Sequence, residues 1–247
     1  MAADFAPCTD AQKQAMLHRL ETIRQNIARA CADSGRDPDT VTLMAVTKTV
    51  SPELINAAVD AGVRVLGENR VQEYLSKRDY YRKDAEVQFI GHLQTNKVKQ
   101  IIDKVTLIHS VDSLHLAEAV EKAAIQSGII CPVLLEVNIG AEASKSGVSP
   151  DALPELLESV RKLGHVRVDG LMTIPPPMTD EQEQNRVFAQ MQQIYAQMQQ
   201  ITPMHVLSMG MSGDYEAAVR HGATIVRIGS ALFGARYYPP KPGTANL

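Results

Sequence analysis

Short apolar runs alternate with helix-patterned segments along almost the whole chain, and few folds satisfy that alternation. Runs of strand character fall at residues 41–46, 63–66, 87–90, 105–108 and 133–137, then at 165–168 leading into Gly170-Leu171-Met172-Thr173, and at 204–207 and 224–228. An opening helix over residues 11–31 precedes them, with Met16, Leu20, Ile23, Ile27 and Ala30 as its apolar stripe. Helical segments follow each strand. Ser51-Pro52 and Ser149-Pro150 carry the same cap-and-proline start, Thr179 with Gln182 makes a capping box, and residues 231–234 begin a last short helix. No stretch turns all-strand or all-helix. The pattern therefore predicts one α/β domain over residues 1–247, a closed TIM-like (β/α)8 barrel, and 247 residues is the usual size of one. A doubly wound open sheet is the alternative. No GxGxxG follows the first strand, which disfavours a dinucleotide fold.

Composition narrows the function classes. Apolar content of 45%, charged content of 21% and a net charge of -3 describe an ordinary globular chain without general attraction to nucleic acid or anionic lipid. Cys8, Cys31 and Cys131 are too few and too scattered for a disulfide framework or a metal-ligand cluster. The N-terminus lacks a secretory pattern and no segment is apolar enough to span a bilayer, so cytoplasm is the expected location. Residues 237–243 read as an irregular surface tail.

In a barrel the C-terminal ends of all strands share one mouth, and there the chain places polar residues repeatedly. Lys48 follows the first strand, Asn69 the second, His92 the third and Ser110 the fourth. Asn138, Met172, Ser208 and Arg227 mark the remaining four. Lys48 sits within Leu43-Met44-Ala45-Val46-Thr47-Lys48-Thr49-Val50, an apolar setting that favours a neutral, nucleophilic amine or one tied up covalently as an imine. A strand-end lysine can instead extend its ammonium to solvent. The turns Ser208-Met209-Gly210-Met211-Ser212 and Arg227-Ile228-Gly229-Ser230 offer hydroxyls and close backbone N–H groups to an anion, at the loops after strands seven and eight where this fold binds phosphate. Each turn also reads as an ordinary helix cap, and Arg227 as the partner of a carboxylate. An amine facing an anion site is what an aldehyde-bearing phosphate cofactor requires.

Six blocks carry a resemblance to a known family. They are Ala45-Val46-Thr47-Lys48, Gly67-Glu68-Asn69-Arg70-Val71-Gln72-Glu73 and Phe89-Ile90-Gly91-His92-Leu93-Gln94-Thr95-Asn96-Lys97, then Gly170-Leu171-Met172-Thr173, Leu207-Ser208-Met209-Gly210-Met211-Ser212-Gly213-Asp214-Tyr215 and Val226-Arg227-Ile228-Gly229-Ser230-Ala231-Leu232-Phe233-Gly234. In this order, over nearly the whole chain, they resemble the pyridoxal phosphate homeostasis proteins, the YggS/PROSC family. The resemblance implies a barrel like the N-terminal domain of alanine racemase and pyridoxal 5'-phosphate held as an imine, a Schiff base, on Lys48. It further implies phosphate contacts from Ser208, Gly210, Gly229 and Ser230, a ring-nitrogen contact from Arg227, Asn69 in the pocket and Met209 contributing through its backbone.

Such a family is expected to handle and supply the cofactor, with effects on vitamin B6 and amino-acid homeostasis, and without an established catalytic reaction. Apo forms of pyridoxal-phosphate enzymes are candidate partners. The chain ends soon after strand eight, so the β domain that racemases add is not expected, and a monomer is. The rival readings are a pyridoxal-phosphate-dependent racemase or lyase, and an aldolase-like barrel using Lys48 on a sugar phosphate. Roles for Glu68, His92 and Lys97 stay open.

Overall fold

The computed structural model describes residues 5, 7–140 and 146–235. The tail at 237–243 lies outside the described residues. The strands are β1 (Thr42–Val46), β2 (Val65–Glu68), β3 (Glu86–Phe89), β4 (Leu107–Val111), β5 (Cys131–Val137), β6 (Val166–Thr173), β7 (Val206–Ser208) and β8 (Ile225–Ile228). They run parallel in chain order and close into a barrel, with Leu43 of β1 opposite Val226 of β8. The helices are α1 (Asp10–Asp33), α2 (Pro52–Asp60), α3 (Val71–Lys77), α4 (Val98–Ile101), α5 (Leu114–Ser127), α6 (Leu153–Val160), α7 (Glu181–Met198), α8 (Tyr215–Arg220) and α9 (Ser230–Phe233). The closed (β/α)8 barrel expected from the alternation is the observed architecture.

Thr9 starts α1 with a capping box shared with Gln12. The helix buries Met16, Leu20, Ile23, Ile27 and Ala30, the stripe read from the sequence. Arg19 donates from Nε to the Leu232 carbonyl at 2.8 Å, and Asn26 donates to the Tyr215 hydroxyl at 2.8 Å. Both bonds fasten the start of the chain over α8 and α9.

Two apolar cores follow from the alternation of side chains along a strand. Ala45, Leu66, Phe89, Ile108 and Leu135 face the helices, while Met44, Val46, Val65, Ile90, Leu107, Leu134, Met172 and Ile225 fill the barrel. One step further toward the mouth, the inward positions turn polar. His109 is two residues beyond Leu107, Glu136 two beyond Leu134, Ser208 two beyond Val206 and Arg227 two beyond Ile225, and all four are buried. Lys48 continues the same inward series after Met44 and Val46.

Several boundaries differ from the sequence expectation for that reason. β4 runs to Val111 instead of ending near 108, because His109 and Ser110 look like loop residues yet are buried in the strand, His109 within the polar barrel layer. β2 extends to Glu68, whose carbonyl accepts from the Ile90 N–H at 2.9 Å, so α3 starts at Val71 and not at 68. Ser149-Pro150 forms a turn, the Ser149 hydroxyl accepting from the Ala152 N–H at 3.3 Å, and α6 begins at Leu153. The cap of α7 is Asp180, which accepts from the Gln182 N–H at 3.1 Å; the shorter carboxylate replaces the expected Thr179 box.

Candidate functional site at the barrel mouth

A cavity of about 350 Å³ opens at the C-terminal ends of the strands. Lys48, Asn69, Arg227, Gly229 and Ser230 line it, with Val46, Ile90 and Ile174 as apolar wall and Met211, Ser212 and Gly213 across from them. Its size falls in the ~300–1,000 Å³ range of small-molecule sites. Five of the eight residues expected at a cofactor thus converge on one space. Ser208, Met209 and Gly210 stand one layer below the wall. The Ser208 hydroxyl points into the barrel, the Met209 N–H donates to the Ile225 carbonyl at 3.2 Å, and the Gly210 carbonyl accepts from the Arg227 N–H at 3.0 Å. Gly210 has φ +90°, and a Cβ there would lie 2.5 Å from the Ala218 Cβ, so only glycine makes this turn against α8. The part of this stretch that lines the cavity is Met211–Gly213, so Met211 and Ser212 of the expected turn reach it and Ser208, Met209 and Gly210 do not line it.

Ser212 binds the two glycine turns together. Its hydroxyl accepts from the Gly229 N–H at 3.2 Å and the Ala231 N–H at 3.1 Å. Asp214 seats the same turn by accepting from the Met211 N–H at 2.6 Å. Burial raises the Asp214 carboxyl, and that hydrogen bond and the Arg227 charge work against the rise.

Arg227 is buried, with its guanidinium on neutral acceptors. It donates to the Ser208 hydroxyl at 2.7 Å and to the Thr173 carbonyl at 2.8 Å. Its direct partners are these neutral oxygens, while the Asp214 and Glu136 carboxyls act on it through charge alone. Burial pulls the guanidinium to about 10, and it stays cationic at neutral pH. The chain of bonds continues across the barrel. Ser208 meets His109 Nδ1 at 3.1 Å, and His109 Nε2 meets the Gln88 amide oxygen at 2.7 Å. Arg227 can only donate, so the Ser208 hydroxyl passes its own hydrogen to Nδ1 and Nε2–H donates to Gln88. Burial, reinforced by Arg227, drives His109 well below the ordinary histidine value and keeps the ring neutral. The network holds the guanidinium in one place at the cavity floor.

Asn69 is half-buried, and its side-chain oxygen is enclosed without a partner. An acceptor left this way is a group waiting for a donor. Gly91 backs it closely: a Cβ at Gly91 would lie 2.0 Å from the Asn69 carbonyl oxygen. His92 and Lys97 line a separate groove of about 520 Å³ that shares Asn69 and adds Arg70, Gln72, Glu73 and Gln94. Glu68 is in neither space. It is fully buried, accepting from the Thr47 hydroxyl at 2.7 Å and from the Tyr81 hydroxyl. Burial raises its carboxyl against the pull of Tyr81 and Lys77. His109 was not singled out in the sequence, and Glu136 and Ser212 were read only as parts of the fifth strand and of the 208–212 turn. Continuing the inward period of two past each apolar run would have placed His109 and Glu136 inside the barrel.

The alanine racemase N-terminal domain model matches residues 18–237. The pyridoxal phosphate homeostasis protein of Aquifex aeolicus is 44% identical over 224 residues, covering 89% of this chain and 98% of its own length. The structure of PipY from Synechococcus elongatus with PLP bound is 34% identical, with a TM-score of 0.77 over 89% of this chain and all of that one. An alanine racemase from Clostridium difficile shares the fold at a TM-score of 0.70 and 16% identity, this chain spanning 57% of it. With its barrel, its mouth cavity and these relatives together, the chain belongs to the pyridoxal phosphate homeostasis protein family.

Proposed function

We propose that this protein holds pyridoxal 5'-phosphate reversibly on Lys48 and serves to store and hand over the cofactor, acting as a homeostasis protein and not as an amino-acid-transforming enzyme. The observation that carries the reading is the convergence of Lys48, Asn69, Arg227, Gly229 and Ser230 on one cavity. The names of the relatives and the PLP in the PipY structure support it. When bound, the cofactor supplies an aldehyde for reversible attachment, a phosphate and a pyridine ring.

Lys48 offers the amine from the inward end of β1. Ser230 would hold the phosphate with its hydroxyl, and Gly229 would let the backbone approach closely, on a turn that Ser212 braces. Arg227, cationic and fixed by Ser208 and Thr173, would stand beside the ring nitrogen of a bound cofactor and oppose its protonation. That arrangement weakens electron withdrawal through the ring, which suits holding over catalysis. The partners are apo forms of enzymes that need the cofactor. The reading places the protein in the cytoplasm as a monomeric single-domain barrel, and its unpaired Cys8, Cys31 and Cys131 suit a reducing compartment.

The test is to load the purified protein with pyridoxal phosphate, dialyse exhaustively, record the visible spectrum, reduce with borohydride and map the modified peptide. Modification at Lys48, and a colourless Lys48→Ala variant, are expected. A chromophore that survives in Lys48→Ala sinks the proposal. Loaded protein that exchanges amino-acid α-hydrogens for deuterium at catalytic protein levels would instead favour a racemase or lyase. Trapping that needs a sugar phosphate would favour the aldolase-like reading.

A further inference from the structure

Lys48 stands between two residues gripped by one ion pair. On its N-terminal side, the Thr47 carbonyl accepts from Lys77 Nζ at 3.0 Å. On its C-terminal side, the Thr49 N–H donates to Glu73 Oε1 at 2.5 Å. Glu73 and Lys77 are themselves paired at 2.5 Å, one turn apart on α3. A closed ring therefore runs from Thr47 to Lys77, to Glu73, to Thr49, with Lys48 between its two backbone ends. A second layer fixes the Thr47 side chain, which donates to the buried Glu68 carboxylate at 2.7 Å.

The ring is enclosed enough to matter. Lys77 is 3% exposed and Glu73 19%, so this pair is not an ordinary solvated i, i+4 contact. Burying an ammonium costs free energy unless it is paired and hydrogen-bonded, and Glu73 and the Thr47 carbonyl supply both contacts. Thr49 has φ +63°, and among the described residues it is the one non-glycine position in the left-handed region. A β-branched residue resists that conformation, so the surroundings impose it, and the Glu73 bond is the visible restraint. The turn it forces sends the chain from the inward series of β1 back toward α2 directly after Lys48.

We infer that Glu73 and Lys77 are positioning residues: together they clamp the backbone on both sides of Lys48 and hold its amine at the cavity for attachment. The inference rests on the proposed reading of Lys48 as the attachment residue. Attachment joins Nζ to the aldehyde carbon as a C=N bond and expels one water; release adds that water back, or exchanges one amine for another. No electrons are gained or lost. Either direction requires the amine to approach the carbon from a fixed side, which is what a clamp on residues 47 and 49 enforces.

The test separates attachment from simple occupancy. Glu73→Met and Lys77→Met are compared with wild type and with Arg36→Met, which removes bonds to the Val219 and Ala223 carbonyls far from the cavity and serves as a stability control. All are measured below the lowest melting temperature of the set. One readout is the rate of chromophore formation with pyridoxal phosphate. The other is the affinity for pyridoxine 5'-phosphate, which has the same ring and phosphate but no aldehyde.

The clamp predicts at least a ten-fold slower attachment in both variants, unchanged affinity for the aldehyde-free analogue, and Arg36→Met equal to wild type in both. Wild-type attachment rates in the clamp variants, whatever their stability, overturn it and leave the ion pair as a brace for α3. Equal losses of attachment and analogue affinity also overturn it, since the cavity itself would then have changed. Wild-type protein that gives no borohydride-trapped adduct at Lys48 would refute the functional reading, and the clamp with it. If Lys77→Met does not fold, Glu73→Met, which removes the acceptor of the Thr49 N–H, carries the comparison alone.

Discussion

Glu136 gives the sharpest energetic test of the polar barrel layer. Its side chain lies two residues beyond Leu134, which fills the barrel, so its carboxyl is enclosed on the inward side of β5. Burial, with repulsion from Asp112, pushes the carboxyl from the ordinary 4.5 up to about 7, against the pull of Arg227. Between those two values the folded chain keeps a proton that the unfolded chain has lost. Folding stability therefore falls as pH rises from 4.5 to 7 and levels off above the folded value. A gap of about 2.5 units, at 1.36 kcal/mol each, makes this effect ~3 kcal/mol in total. Glu136→Gln keeps the shape and removes the titration. Denaturant unfolding of both proteins at half-unit steps from pH 4.5 to 8 measures the difference, in which other titrating groups cancel. The variant is expected to match wild type near pH 4.5 and to exceed it progressively, by ~2–4 kcal/mol at pH 8. A difference that stays flat across this range would refute the placement of a protonated carboxyl in the barrel.

Other consequences follow from single contacts. His109→Leu leaves the Ser208 hydroxyl and the Gln88 amide oxygen without their shared partner, and should lower unfolding stability by roughly 1–3 kcal/mol for each group left unpaired; an unchanged denaturation midpoint would show that the cross-barrel link carries no load. Gly91→Ala forces a Cβ to within 2.0 Å of the Asn69 carbonyl. It should lower the melting temperature and weaken capture of pyridoxal phosphate together, and a variant with wild-type spectrum and melting point would contradict that packing. For Glu73, burial alone would raise the carboxyl, but the bonds from Lys77 and the Thr49 N–H outweigh it and hold it below the ordinary 4.5. Its contribution is therefore complete above pH 4.5 and is lost as pH falls through the lower folded value. Glu73→Gln should flatten acid unfolding below pH 4.5, checked by circular dichroism across an acid titration.

Much of the site was legible before any coordinates, and the misses have a common cause. Lys48 and Arg227 could be found because each interrupts or ends an apolar strand near the mouth. The hydroxyl-rich turns could be found because glycine and serine cluster there. The reading failed where a strand continued past its apolar run: β4 looked complete at residue 108, which hid His109. Glu136 fell inside the expected fifth strand, but its place in the polar layer was not read. A barrel interior that turns from apolar to polar along its length breaks the rule that core strands are apolar throughout. Which residues of the turn at 208–212 face the cavity depends on the φ of Gly210 and on where β7 ends.

By itself, the order of residues determined the eightfold alternation, the parallel closure it entails, the amine at the end of β1 and the two glycine turns, because strand and helix periodicity and turn chemistry are local properties. Contacts between distant parts of the chain decided the rest. Arg227 was set on Ser208 and Thr173, His109 was linked to Gln88 and Ser208, and Thr47 and Thr49 were closed around Lys48 by a helix two dozen residues further on. Those pairings follow from the closure of β8 onto β1, which turns separate strand ends into one rim and brings side chains together that no sequence spacing relates.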